Sequence, residues 1–289
     1  MWSEFVAANA GVAYFFAGWL ALCVGSFLNV VIYRLPVMMQ RDFSREAKEI
    51  LELPADDDAT DAEPFNLMVP RSRCPKCEHA ISAWQNIPVI SWLFLRGKCA
   101  GCATPIAARY PLVEALTCLM GLVVVYQFGF GWLAGALLVA TWMLIAMAFI
   151  DYDTFLLPDQ LTLPLLWLGL IVNLWGGITS LESAVIGAMV GYLLLWSVYW
   201  VFKLITKKEG MGYGDFKLLA ALGAWMGWQI LPALVLVASV LGVFYAIATG
   251  LFTANKRGNP MPFGPFLAAA GWVCLLARNS LIGWYGFHP

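Results

Sequence analysis

Charged residues are scarce in this sequence. Only 12% of the 289 residues are Asp, Glu, Lys or Arg, whereas 61% are hydrophobic and fourteen are tryptophan. Soluble domains carry about 25% charged residues, so this composition excludes an ordinary soluble protein. We predict an all-α, polytopic membrane protein surrounded by the lipid bilayer.

The first apolar stretch lacks the features of a cleavable signal peptide. It runs from about Gly11 to Tyr33, which is too long for a signal-peptide core, and no small-residue cleavage site follows it. We therefore expect this stretch to be retained as the first transmembrane helix.

Seven further apolar stretches approach the length of about 20 residues that a helix needs to cross the hydrocarbon core. They lie near residues 111–128, 131–150, 157–176, 181–203, 215–228, 230–253 and 264–286. The stretch that begins at Asp215 is short, and we expect it to be tilted or re-entrant. The prediction is about eight transmembrane helices.

Basic residues are distributed unevenly between the loops. Of the seventeen, ten fall within residues 34–109, four within 203–217 and two at 256–257. Because basic loops are retained in the cytoplasm, eight spans place all three loops in the cytosol and both termini outside. Only Arg278 lies near the other side, and Asp151 and Asp215 share the cytosolic face.

The large polar loop has two parts. Residues 41–53 have the pattern of an amphipathic helix, and the acidic run after them is interpreted as a solvated linker. From Arg71 to Arg109 the residues are rich in cysteine, proline and basic side chains, which is typical of a small compact module. We predict three parts: a first transmembrane helix (1–36), a cytoplasmic loop with the cysteine module (37–110) and a membrane-embedded domain (111–289). The acidic run consists of Asp56, Asp57, Asp58, Asp61 and Glu63.

Four of the seven cysteines form two CxxC pairs in this module. Their spacing is close to that of a zinc site built from two knuckles, Cys74 with Cys77 and Cys99 with Cys102. The metal would be structural, because four thiolates leave no open position for water. They complete the tetrahedron without His79. The alternative is four free cysteines or two labile disulfides.

Two aspartates at membrane boundaries are the candidate catalytic residues. Asp151 directly follows an apolar span, and Asp215 ends a glycine-rich turn at residues 210–214. An ionisable residue at membrane depth indicates a functional site, although such a turn also suits an aspartate that caps a helix. Asp159 is well explained as such a cap, and Asp153 is expected to face water. Paired carboxylates serve peptide hydrolysis or the proton relay of a transporter.

Several longer motifs resemble those of the bifunctional type IV prepilin leader peptidases. They are the Gly-x-Gly-Asp at residues 212–215, the upstream Asp151, the segment GSFLNVVIYRLP at 25–36, and the paired CxxC module followed by RYPLVE at 109–114. The resemblance covers essentially the whole chain apart from residues 40–69.

This resemblance implies an inner-membrane enzyme of a Gram-negative bacterium with two activities. The first removes the basic leader of type IV prepilins and type II secretion pseudopilins after a glycine on the cytoplasmic side, with Asp151 and Asp215 as the catalytic pair. The second methylates the new amino group, usually of phenylalanine, with S-adenosylmethionine as donor, and Gly97 matches a glycine tied to it. The four cysteines match those of the family's cytoplasmic domain.

Some questions stay open at this point. The sequence contains no glycine-rich nucleotide fingerprint, so the S-adenosylmethionine pocket is not located. No nucleic-acid partner is expected, and the oligomeric state is not determined. A proton-coupled transporter with paired intramembrane acids and a scaffold with a zinc module for partner binding are the rival hypotheses.

Overall fold

The computed structural model describes residues 9–52, 64–208, 210–250 and 261–284. It forms two compact units, one that extends to Tyr126 and one that begins at Gln127. The described residues are predominantly helical, and their only β-type pairs are two isolated bridges, Arg73 with Ala80 and Lys98 with Pro105. The acidic run lies outside the described residues, as do residues 251–260.

The N-terminal unit contains one long helix. Helix α1 (Ala10–Ile50) has 41 residues and combines the first predicted span with the predicted amphipathic segment in one element. Pro36 lies inside α1 without ending it. The short helix α2 (Ile90–Phe94) belongs to the cysteine module, and α3 (Arg109–Phe128) follows it.

Helices α1 and α3 contact each other through the residues of two motifs that stand out in the sequence. A Cβ atom added at Gly25 would lie 2.7 Å from the Cα atom of Glu114, so only glycine permits this approach. The amide of Asn29 donates to the carbonyl of Tyr110 at 3.1 Å, and Glu114 accepts from the backbone N–H of Val89 at 2.7 Å. The Asn29 bond joins α1 to the start of α3, and the Glu114 bond joins α3 to the residue that precedes α2.

Arg34 attaches the segment after the acidic run to α1. Its guanidinium donates to the carbonyls of Asn66 and Pro70 at 2.7 and 2.6 Å and lies over the ring of Phe65. Since Arg34 is itself buried, its positive charge is compensated by these acceptors and by the aromatic face.

The described part of the C-terminal unit contains six α-helices. They are α4 (Trp132–Thr154), α5 (Asp159–Leu174), α6 (Leu181–Thr206), α7 (Tyr213–Met226), α8 (Leu231–Ala248) and α9 (Gly264–Trp284). Within the described residues, each of the eight predicted apolar stretches coincides with a helix, which confirms the polytopic all-α fold. Of the eight helices that correspond to these stretches, six are long and apolar enough to cross a membrane, whereas α5 has 16 residues and α7 only 14.

Helix α7 packs against α6 with backbone on backbone. Gly187 and Gly191 of α6 are spaced as in a GxxxG motif. The backbone of α7 occupies the space that a larger residue at either position would need for its side chain. A Cβ atom at Gly191 would lie 2.7 Å from the carbonyl oxygen of Leu219, and Gly223 makes the reciprocal contact with the backbone of Gly187. Helix α7 is therefore fixed against a full-length neighbour although it is short itself.

We expect Gly191→Leu to destabilise the protein by about 1–3 kcal/mol, because the new side chain would have to displace backbone atoms of α7. Thermal unfolding of the purified protein in detergent would show this as a lower Tm. Gly135→Leu is the matched control, since no atom lies within 4 Å of a Cβ added at Gly135 in α4. Equal Tm values for the two variants would contradict the close α6–α7 packing.

Candidate functional site

Asp151 lies in the last turn of α4. The helix ends at Phe155, which has a left-handed backbone conformation (φ 56°) and donates its N–H to the carbonyl of Asp151 at 2.9 Å. The side chain of Asp151 is only 5% exposed, and its Oδ2 accepts the backbone N–H of Gly264 at 3.0 Å. The carboxylate is therefore fixed by two elements, the end of α4, which carries it, and the start of α9, which donates a hydrogen bond to it.

Asp215 lies in the first turn of α7. Gly212 occupies the N-cap position, and the backbone N–H of Asp215 donates to the carbonyl of Gly212 at 3.3 Å. Asp215 is therefore not the residue at the cap. Its side chain is 6% exposed, and its Oδ1 has no hydrogen-bond partner in the part of the chain that the structure describes. A buried carboxylate oxygen without a donor is costly, which is typical of a functional group rather than of a structural one.

The structure brings the two predicted aspartates together at one end of the C-terminal unit. The Asp151 carboxylate is near enough to act electrostatically on Asp215. Leu157 lies between the start of α7 and the start of α9. A Cβ atom added at Gly214 in α7 would be 2.6 Å from Leu157 Cβ, and one added at Gly264 in α9 would be 3.2 Å from Leu157 Cδ1. The Cβ atom at Gly264 would also be 2.7 Å from Asp151 Oδ2. Small residues thus allow α4, α7 and α9 to converge.

The glycines before Asp215 have different surroundings. Gly210 packs on the ring of Phe202, with 2.7 Å from an added Cβ to the nearest ring atom, and Gly214 packs on Leu157. Gly212 alone has free space beside the carboxylate, since the nearest atom to its added Cβ is Asp215 Oδ2 at 3.9 Å. Of these three glycines, only Gly212 therefore has an open backbone.

Asp159 has a partner that the sequence does not reveal. Pro158, and not Asp159, occupies the N-cap of α5, so the predicted capping role of Asp159 is wrong. Its carboxylate instead accepts from Lys217 Nζ at 2.6 and 2.8 Å. This ion pair joins the start of α5 to the start of α7, two residues beyond Asp215. Asp153 is exposed at the end of α4.

The four predicted ligand cysteines form one cluster in the N-terminal unit. Their Sγ atoms all lie within 4.8 Å of one another, with 3.8 Å between Cys74 and Cys102 and 3.9 Å between Cys77 and Cys99. This group can hold a metal ion, and His79 is not part of it. A hydrogen bond with the Thr104 hydroxyl lowers the pKa of Cys102 to about 6, which favours the thiolate that binds metals.

The two cysteine turns are built in the same way. In the first, Cys74 N–H donates to the carbonyl of His79 and Glu78 N–H donates to that of Cys74; in the second, Cys99 pairs with Thr104 and Ala103 with Cys99 in the same pattern. The signal is present in the segments RCPKCEHAI (73–81) and KCAGCATPI (98–106). The four candidate metal ligands therefore come from two equivalent knuckles.

Gly97 lies at the entry to the second knuckle. Its φ is 67°, a conformation that favours glycine, and a Cβ atom added there would lie 2.9 Å from the indole ring of Trp92. Its N–H donates to the carbonyl of Trp92, and its carbonyl accepts the N–H of Ile106. The local fold thus requires a residue without a side chain immediately before Lys98 and Cys99.

These features define the class of the protein. It is a polytopic membrane protein with a pair of buried carboxylates in one unit and a four-cysteine module that can hold a metal ion in the other. Residues 19–128 match the family model for the bacterial peptidase A24 N-terminal domain, and residues 138–247 match that for the type IV leader peptidase family.

Comparison with curated proteins agrees with both matches. A protein of Aeromonas hydrophila named prepilin leader peptidase/N-methyltransferase is 57% identical over 92% of this chain and 91% of its own length. Proteins of the same name from Stutzerimonas stutzeri and Neisseria gonorrhoeae are 56% and 51% identical over at least 93% of each chain. The chain therefore belongs to the prepilin leader peptidase/N-methyltransferase family. No solved structure matches it.

We expect the purified protein to retain about one metal ion per chain, because a single tetrahedral site uses all four sulfurs of the cluster. Mass spectrometry of the metal content is the measurement. Cys77→Ser and Cys102→Ser should each lose most of the metal, whereas Cys23→Ser, which changes a cysteine outside the cluster, should retain it. Metal-free wild-type protein with four alkylated thiols in the module would contradict this assignment.

Proposed function

We propose that this protein is a prepilin leader peptidase and N-methyltransferase in which Asp151 and Asp215 form the catalytic pair of the peptidase. The observation that carries the proposal is the meeting of these two buried carboxylates at the ends of α4 and α7. The relatives that share more than half of their residues with this chain carry this name. That family membership favours the peptidase over a proton-coupled transporter with the same paired acids.

The two carboxylates suit hydrolysis of a peptide bond without a covalent intermediate. One carboxylate removes a proton from water while the other gives a proton to the leaving amine. Asp151 accepts an N–H bond from Gly264, whereas Oδ1 of Asp215 accepts none from the described residues. Oδ1 of Asp215 is therefore available to carry the proton, and we assign Asp215 as the acid and Asp151 as the base.

The position of the pair suits a substrate that is itself a membrane helix. Type IV prepilins and type II pseudopilins, the substrates that we propose, join a basic leader to an apolar helix. The aspartates lie where α4 ends and where α7 and α9 begin, at the same end as Lys203, Lys207 and Lys217. This end is cytosolic if basic loops face the cytoplasm of the inner membrane. A scissile bond at the boundary would reach both carboxylates.

The segment before α9 supports this arrangement. Met261, Pro262 and Phe263 lead directly to Gly264, whose N–H binds Asp151. An extended substrate beside Gly212 would lie between this segment and the glycine-rich turn. We therefore propose that residues 261–264 form one wall of the peptidase groove.

Asp151→Asn and Asp215→Asn should each reduce cleavage of a prepilin to the background level, because an amide can neither hold nor transfer the proton that hydrolysis needs. The assay is leader removal by the purified variant in detergent. Both variants should still methylate a synthetic peptide that begins with phenylalanine, which shows that the protein is folded. Cleavage at the wild-type rate by either variant would refute the catalytic assignment.

For the four-cysteine cluster we propose a structural zinc ion. A tetrahedron with Zn–S bonds of about 2.3 Å has edges of about 3.8 Å. Two Sγ–Sγ distances in the cluster are 3.8 and 3.9 Å, and all of them are within 4.8 Å. All four positions are occupied by thiolates, so the metal stabilises the module and has no place for a reacting water. Zinc would join the two knuckles, whose own apolar contacts are few in so short a segment.

We assign methyl transfer to the N-terminal unit that contains this module. S-adenosylmethionine supplies an electrophilic methyl group to the free amine of the cleaved pilin. The surroundings of Gly97 do not form a pocket for this donor, because the indole of Trp92 covers the glycine. We therefore propose that Gly97 acts through the shape of the second knuckle.

Gly97→Ala should lower methyl transfer and leave prepilin cleavage unchanged. The added methyl would meet the Trp92 ring and would force a non-glycine residue into a left-handed conformation, which costs about 1 kcal/mol or more. Transfer of a labelled methyl group from S-adenosylmethionine to a mature pilin peptide measures the first activity, and leader removal measures the second. A parallel fall of both activities would show that Gly97 serves the stability of the whole protein instead.

A further inference from the structure

Helix α7 is too short to cross a bilayer. Its 14 residues extend about 21 Å, whereas the hydrocarbon core is about 30 Å thick. One end carries Asp215 at the membrane boundary, and the other end, Gly223 to Met226, is buried within the C-terminal unit. The last carbonyls of α7 therefore have no access to water and need partners inside the protein.

All four of these carbonyls have partners. The carbonyl of Gly223 accepts from the N–H of Gly227 at 2.8 Å. The side-chain amide of Asn173 donates to the carbonyls of Ala224 and Trp225 at 2.8 and 3.0 Å. Arg278 Nε donates to the carbonyl of Met226 at 3.0 Å.

Asn173 is a rigid partner because its other amide atom is also bound. Its Oδ1 accepts the backbone N–H groups of Ile178 and Thr179 at 2.8 and 2.9 Å. The residue is buried at the end of α5, so it connects the C-terminus of α7 to the turn between α5 and α6. With each of its polar atoms bound twice, this amide has one orientation available to it.

Arg278 adds a positive charge to the same helix end. A cation is favourable at a helix C-terminus, where the carbonyl groups carry partial negative charge. Arg278 lies on α9, the helix whose first residue, Gly264, binds Asp151. Helix α9 therefore contacts Asp151 at its start and the end of α7 near its own end.

The two aspartates are positioned in different ways. Asp151 is held by a hydrogen bond from Gly264, but Oδ1 of Asp215 has no such bond to the described residues. The location of Asp215 must therefore follow the location of α7 as a whole. A shift of α7 along its axis would move Asp215 by the same distance relative to Asp151.

We propose that Asn173 and Arg278 are positioning residues for Asp215. By binding the last three carbonyls of α7, about 16 Å from Asp215 along the helix, they fix its axial position and with it the separation of the two carboxylates. This inference rests on the proposed function, in which Asp215 transfers a proton. The proposal assigns a role to Arg278, the one basic residue of the sequence that lies outside the predicted cytosolic loops.

The test compares Arg278→Met, Arg278→Lys and Asn173→Leu with the wild-type protein in detergent. Arg278→Met and Asn173→Leu should each lower kcat for prepilin cleavage by about 10- to 100-fold, the effect of a misplacement near 1 Å. KM should change by less than about 3-fold, because the substrate groove is intact. Arg278→Lys retains a cationic donor and should recover part of the lost kcat.

Two controls separate positioning from loss of the fold. Ser183→Ala removes a buried hydrogen bond to Gln229 and leaves the α7 carbonyls with their partners, so it should keep the wild-type kcat. Methylation of a phenylalanine peptide by each variant reports on the rest of the molecule. Asp215→Asn in the same assay tests the proposed function itself, since cleavage by that variant would refute the function rather than the positioning role.

The proposal is overturned by either of two results. Wild-type kcat in both Arg278→Met and Asn173→Leu would show that the C-terminal carbonyls of α7 do not determine the geometry of the pair. If the variants lost cleavage and methylation by the same factor, had a lower Tm and showed no recovery in Arg278→Lys, these residues would serve general stability instead.

Discussion

A short buried helix needs partners for its terminal backbone groups, and the proposed peptidase site of this protein depends on how that need is met. Helix α7 presents Asp215 at its first turn and ends among apolar side chains. Its last carbonyls cannot bind water there, so Asn173 and Arg278 bind them instead. The glycines of α6 then let α7 approach until the two backbones are in contact. These contacts leave little freedom for the aspartate at the other end.

Glycines also allow close packing around the aspartates. Gly214 and Gly264 leave room for Leu157, and Gly264 also leaves its N–H free to bind Asp151. The ion pair of Asp159 with Lys217 joins the starts of α5 and α7. Three helix ends can therefore meet beside two carboxylates. A carboxylate at such a place is costly unless the surrounding groups hold it, and the proposed chemistry uses the oxygen that no described group binds.

The N-terminal unit follows another principle. Its cysteine module has little apolar surface to bury, and two equivalent knuckles bring four sulfurs within 4.8 Å of one another. The proposed metal ion and the tight turn at Gly97 would supply the order that a hydrophobic core supplies elsewhere. Arg34 and Glu114, both buried, tie the neighbouring segments to α1 and α3. Buried polar residues of the early motifs thus have structural partners.

The membrane class, the positions of the eight helices, the four cysteines that cluster and the two aspartates that are buried could be predicted from the sequence. These features are local: apolar length, CxxC spacing and a carboxylate at a span boundary need no knowledge of distant residues. Only the tertiary structure decided which residues hold the end of α7, that Asp159 pairs with Lys217, and that Leu157 separates Gly214 from Gly264. Each of these contacts joins residues far apart in the chain, and no pattern within a single segment specifies them.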